Sequence, residues 1–131
     1  LPTEAQWEYA ARGGRYHAHA GHLYAGSSRL EEVGWYRDNS GQETQAVGYK
    51  QANVLGLYDM SGNVWEWCGD WFGDYSSDSA LDPKGIATGD DRVLRGGSWS
   101  KIARYCRVST RINNTPSFRY DFFGFRVARQ F

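Results

Sequence analysis

The sequence reads as an α+β domain with few helices, short antiparallel strands and much loop, on three grounds. A complete helix-start signal stands near the beginning of the chain. The other apolar runs are only a few residues long and are bounded by Gly, Ser, Asn and Asp. Six Trp, nine Tyr and six Phe accompany 16 Gly in 131 residues, with 40% apolar side chains. Disordered chains are poor in aromatics, so this one is expected to fold, on a core of a few large rings. A single domain accounts for the whole length, residues 1–131.

Thr3 followed by Gln6 is a capping-box pattern, and Trp7, Ala10 and Ala11 recur at helical spacing before Gly13-Gly14, which predicts one helix over about residues 4–12. Residues 13–56 read mainly as loop, with strand candidates at 33–36 and 44–48. Apolar-aromatic runs at 57–60 and 64–67, separated by Ser61-Gly62-Asn63, look like a hairpin. Trp65 and Trp67 fall on one face by the two-residue period and, with Trp71, are read as core. Residues 73–91, rich in Asp, Ser and Gly, form a surface loop. Residues 92–99 return as strand with a bend at Gly96-Gly97, and 124–129 is a last strand. Between these two lie 25 residues, 100–124, without periodicity. A loop of that length in a compact domain is functional or is held by its own contacts.

Fifteen basic and 15 acidic side chains cancel, but unevenly: the formal charge is −1 over residues 1–58, −7 over 59–91 and +8 over 92–131. The last two parts are expected to attract each other. Eight of the nine cations after residue 91 are Arg interspersed with aromatics. Internal pairing and stacking is therefore favoured over a nucleic-acid surface. No apolar run approaches the roughly 20 residues that a membrane-spanning helix needs, so no membrane insertion by this segment is expected. The opening Leu1-Pro2-Thr3-Glu4 enters a helix without an initiator Met, which reads as the C-terminal part of a longer protein.

Catalytic signals are weak. His17, His19 and His22 lie together in an Ala- and Gly-rich stretch without a nearby Cys, Asp or Glu, a solvated loop more than a zinc site. Ser98 lacks the second Gly of a nucleophile elbow. Cys68 and Cys106, 38 positions apart, are open to three readings: a disulfide, two buried thiols, or a reactive thiol without a neighbouring base. Asp59 and Glu66 flank a tight turn whose carbonyls could join them in an all-oxygen site for Ca²⁺, and a plain hairpin with surface acids explains them as well.

Four blocks together, Leu1 to Gly13 (LPTEAQWEYAARG), Gly56 to Trp67 (GLYDMSGNVWEW), Arg95-Gly96-Gly97-Ser98-Trp99 and Gly124-Phe125-Arg126, resemble the formylglycine-generating enzyme (sulfatase-modifying factor) family. The resemblance implies an elaborated C-type lectin-like fold. It also implies a calcium site at the side chains of Asp59 and Glu66 and the carbonyls of Gly62 and Val64. Members of the family that oxidise a sulfatase cysteine hold copper with two cysteines after the Arg-Gly-Gly-Ser block. This chain has only Cys106 there, and one thiolate cannot form a two-sulfur Cu(I) site, so no enzyme activity and no catalytic residue is expected.

The chain is most similar to a subset of the family, the variable proteins of diversity-generating retroelements. In these, a segment corresponding to residues 95–126 is rewritten at template adenines and its changed side chains bind a ligand. The resemblance marks Ser100, Lys101, Ile102, Tyr105, Thr110, Ile112, Asn113, Asn114, Thr115, Phe118, Tyr120, Asp121, Phe122 and Phe123 as the ligand-binding positions. Adenine replacement in an AAC codon permits thirteen of these fourteen residues; Lys101 needs another template codon.

Tyr105, Phe118, Tyr120, Phe122 and Phe123 with Asn113, Asn114 and Asp121 have the composition of a paratope, in which rigid rings give contact area and small polar groups adapt. The expected function is therefore non-enzymatic binding of a protein partner, at a cell surface or on a phage particle as the resemblance implies. The alternatives are a formylglycine-generating-type oxidoreductase and a fixed structural or regulatory module on the same scaffold.

Overall fold

The computed structural model describes residues 1–19, 21–77 and 81–129; the side chains of His17 and His19 lie outside the described set. Helix α1, Glu4–Ala11, starts as its sequence dictates. Thr3 Oγ1 accepts from the Gln6 amide at 3.2 Å, and Gln6 Oε1 accepts from the Thr3 amide at 3.0 Å. Two 3-10 turns, Gly14–His19 and Ala103–Cys106, and a single helical turn α2, Leu30–Val33, are the other helical pieces. Strands β1 (Trp65–Trp71), β2 (Arg92–Arg95), β3 (Arg111–Asn114) and β4 (Phe123–Gly124) form one sheet in the order β3-β2-β1-β4. The architecture is the loop-rich α+β one that the sequence predicts, with few helices and one small sheet.

Several sequence expectations change. The sheet is mixed, because β4 pairs parallel with β1 through Trp65 and Phe123, while β1–β2 and β2–β3 are antiparallel. Residues 33–36 are not a strand: Leu30 and Val33 bury one face at helical spacing. Residues 44–48 are loop, since the Asn63 side-chain amide takes over the pairing, accepting from Gln45 N and donating to Gln45 O, each at 3.0 Å. No hairpin precedes β1, because Asp59, inside the first of the two runs, adopts φ of 57°, which an extended strand does not permit. Residues 125–129 leave the sheet where Arg126 turns back to Glu66. The segment 100–124 contributes two strands, of which β3 pairs with β2 over four residues.

The tryptophans are only partly core. Trp65 is buried, whereas Trp67 and Trp71 are half-buried. The opposite face of β1, carrying Glu66, Cys68 and Asp70, is buried throughout and receives α1. Trp7 Nε1 donates to Glu66 at 2.6 Å, and the Glu4 amide donates to Asp70 at 2.6 Å. Trp7, Ala11, Ala25, Met60, Cys68, Val93 and Val108 form the main apolar cluster, and Tyr24, Leu30, Val33 and Cys106 form a second.

Charge ties the layers together. Arg95, with no solvent exposure, donates to Glu4 at 2.6 Å, to Glu8 and to the Val108 carbonyl. Arg111 grips Glu4 with two nitrogens at 2.8 and 2.7 Å. Arg126 grips Glu66 with two at 2.6 Å each. Three cations of the basic end thus pair inside the molecule, two of them with helix α1 and one with the acidic middle segment.

Breaking one member of a buried ionic cluster costs about 3–5 kcal/mol, because the other members stay buried. Glu4→Gln is expected to lower unfolding free energy by about that amount in denaturant titration; a loss under about 1 kcal/mol would show that the cluster is dispensable. Burial would raise the carboxyl of Glu8, but hydrogen bonds and charge from Arg95 and Arg12 outweigh it and hold it below its ordinary 4.5. Its contribution is therefore full above pH 4.5 and is lost as pH falls through the depressed folded value. Unfolding measured from pH 6 downward should lose stability in that window, and Glu8→Gln should lessen the loss.

Candidate functional site

The segment 95–126 is pinned at intervals along its length. Gly97 has φ of 78°, and a Cβ there would stand 2.6 Å from Cys106 Sγ, so only glycine lets the strand end close onto the Ala103–Cys106 turn. Cys106 and Val108 are buried, the Val108 amide donates to the Leu23 carbonyl at 3.0 Å, and Arg111 and Arg126 are clamped as above. None of the fourteen positions expected to bind ligand is buried: all are half-buried or exposed. The pattern is a fixed frame with exposed side chains between its anchors.

Those fourteen side chains do not form a single patch. Ile112, Asn113 and Asn114 lie on β3 at one edge of the sheet, and Phe123 lies on β4 at the other, with two strands between. At spacings of about 4.8 Å that separates the edges by about 14 Å. Asn113 donates to Asp91, and Thr110 Oγ1 donates to the Arg104 carbonyl at 3.1 Å.

The aromatic group is tightly associated. Phe118 and Tyr120 stack with centroids 5.7 Å apart, and Tyr120 and Phe122 stack at 5.0 Å. Phe123 meets Tyr120, Phe122 and Trp67 edge-on at 5.5, 5.0 and 5.4 Å. Lys101 Nζ lies 5.9 Å from the Phe122 centroid, which joins the first part of the segment to the ring ladder. Beside the ladder runs a groove of about 760 Å³ lined by Trp67, Arg92, Phe118, Arg119, Tyr120, Phe123 and Phe125, among others.

Trp67, Arg92, Arg119 and Phe125 were not among the expected site residues. Trp67 looked like core because strand period alone does not say which face is covered. Arg119 and Phe125 had no signal in the sequence, since a two-residue period through the rings at 118, 120 and 122 turns odd-numbered residues to the opposite face.

Around the turn before β1, Asp59 Oδ2 accepts from the Gly48 amide at 2.7 Å, while the buried Oδ1 has no hydrogen-bond partner among the described residues. Glu66 differs: its two oxygens take the Trp7 indole and both nitrogens of the Arg126 fork. Gly62 is fixed by close approach, since a Cβ would meet the Trp35 carbonyl oxygen at 2.2 Å. Of the two carboxylates expected to hold Ca²⁺, Asp59 thus keeps one buried oxygen open, while Glu66 is largely committed to a guanidinium. Among the described residues no three His, Cys, Asp or Glu surround a common metal position. His22 Nδ1 is 3.3 Å from Ser28 Oγ at the surface.

Of the three readings for the cysteines, two buried thiols is the observed one: Cys68 and Cys106 are free, fully buried and in separate clusters. Burial raises both thiols, that of Cys106 to about 12. They do not fit a shared two-sulfur copper site.

The profile of the Sulfatase-modifying factor enzyme 1-like domain matches residues 1–131. The Formylglycine-generating enzyme of Streptomyces coelicolor is 42% identical over 98% of this chain, which covers 46% of that protein. The Serine/threonine-protein kinase Pkn1 of Chlamydia trachomatis is 40% identical over 98% of this chain, which covers 21% of the kinase. Among solved structures, Treponema denticola variable protein 1 superposes with a TM-score of 0.86 at 44% identity, over 95% of this chain and 45% of that one. The chain spans less than half the length of each of these relatives.

Both thiols should resist alkylation by iodoacetamide in the native protein at pH 8 and react on unfolding, as read by intact mass. Rapid native labelling of either would contradict the burial described here.

Proposed function

The chain belongs to the formylglycine-generating (sulfatase-modifying factor) family, and from that premise we propose that it is a non-enzymatic binding domain, a variable protein of the diversity-generating-retroelement kind. Its surface over residues 100–123 takes a protein partner. One observation carries the reading: every one of the fourteen side chains is at least partly exposed, while Arg95, Cys106 and Val108 in the same segment are buried. Exchanging the first set leaves the packing of the second intact. The resemblance to Treponema denticola variable protein 1 supports the same reading.

The exposed rings are the expected source of affinity, since a few desolvated aromatics dominate most interfaces. Phe118 and Tyr120 are 43% and 48% exposed, and an apolar cluster of this kind marks an interaction surface. The oxidoreductase alternative is favoured by the 42% identity to a formylglycine-generating enzyme. It needs a redox metal, and metal analysis of purified protein tests it: stoichiometric copper or iron would restore it.

Calcium enters this proposal as a structural ion at Asp59, Gly62 and Val64, supported by the unpartnered Asp59 Oδ1. A chelator should then lower the melting temperature of the calcium-loaded protein, and an unmoved curve would remove the ion from the account.

Tyr120→Ala should weaken binding to the partner by about 2 kcal/mol or more, a factor of roughly 30, while changing the melting temperature little. Phe123→Ala should lower both, because Phe123 also packs on Trp67. A stability loss in Tyr120→Ala as large as in Phe123→Ala would show that the ladder is core and not a binding face.

A further inference from the structure

The ring ladder and the cations around it define the chemistry of the partner, given the binding role proposed above. Phe118, Tyr120 and Phe122 stand two residues apart and stack nearly parallel, with planes within 12° and 7° of each other. At those separations the rings are offset along the ladder, so their edges as well as parts of their faces reach solvent. The edge carries the positive part of the aromatic quadrupole and attracts anions.

The charged side chains point the same way. Arg95, Arg111 and Arg126 are neutralised by Glu4, Glu8 and Glu66. Lys101, Arg104, Arg107 and Arg119 have no carboxylate partner among the described residues. The groove wall contains Arg92 and Arg119 and no acidic side chain. Arg119 uses Nη1 on the Pro116 and Phe118 carbonyls, which holds its fork at the rim, and Arg92 lies over Trp71 at 3.4 Å. Asp121, the one acid after residue 91, is exposed outside that wall.

We infer that the groove receives an acidic segment of a protein partner, in which Asp or Glu side chains meet Arg119 and Arg92 while an apolar side chain fills the space lined by Trp67, Phe123 and Phe125. Single-stranded nucleic acid would bring the same charge, but its bases need free ring faces to stack on. The ladder rings, with centroids 5.0 and 5.7 Å apart, are too close together to admit a base between them, which favours carboxylates at the edges.

The test is selection of random short peptides displayed on phage against the immobilised chain. The best peptide is then measured by fluorescence anisotropy beside an oligothymidylate of equal length. Enriched peptides should carry net negative charge together with apolar residues, and should depend on Tyr120. Their affinity should fall about tenfold or more in high salt, and by a comparable factor with Arg119→Glu or when Gln replaces Glu in the peptide. Neutral or basic peptides that still need Tyr120 would overturn the acidic assignment and leave the binding role standing. Tighter binding of the oligothymidylate would make the groove a nucleic-acid surface. Absence of any Tyr120-dependent peptide would overturn the assignment and the binding role together.

Discussion

A guanidinium with no access to water organises this molecule. Arg95 at the end of β2 meets Glu4 and Glu8 of helix α1 and the Val108 carbonyl, and Arg111 of β3 reaches the same Glu4. Removing such a charge from solvent is costly, and the cost is offset only when every partner is in place. The helix, the two strands and the start of the 100–124 segment are therefore fixed relative to one another or not at all. A second contact of the same type, Trp7 and Arg126 on Glu66, fixes the far end of the segment against β1. The segment is thus held at residues 95, 111 and 126 by polar contacts and at 106 and 108 by apolar burial.

Under the proposed binding role, this division would let a surface vary on a small domain. An apolar core transmits the shape of each member to its neighbours, so exchange of one side chain is felt by others. Here the side chains between the anchors reach solvent, and the anchors are held by groups in α1 and β1 that lie outside the segment. Similar stretches occur in a formylglycine-generating enzyme, a kinase and a variable protein, in keeping with the general rule that sites are grafted on folds and not dictated by them.

What could be read from the sequence was local. The capping box at Thr3 and Gln6 uses only neighbours in the chain, and the helix was legible to within a residue. Loop content followed from glycine and short apolar runs. The fourteen ligand-binding positions came from a family resemblance; Asn113, Phe118, Tyr120 and Asp121 are exposed and the other ten are half-buried. Strand β3 was not legible, because Arg-Ile-Asn-Asn has neither alternation nor apolar content and becomes a strand only by pairing with β2. The buried face of β1 was misjudged for a related reason. Its acids are buried because Trp7, the Glu4 amide and Arg126 meet them from distant parts of the chain, and no period in residues 65–71 announces that. The net charges of −7 and +8 foretold pairing but not its partners, since two of the three clamps reach back to α1.

The most direct measurement is a pooled comparison of two libraries by resistance to proteolysis. One is randomised at the fourteen exposed positions, and the other at Glu4, Glu66, Arg95, Arg111 and Arg126. The account predicts that a large share of the first library keeps the protection of the parent chain and that almost none of the second does. Equal loss of protection in both would show that the exposed side chains are part of what holds the fold, and would contradict the separation of frame and face.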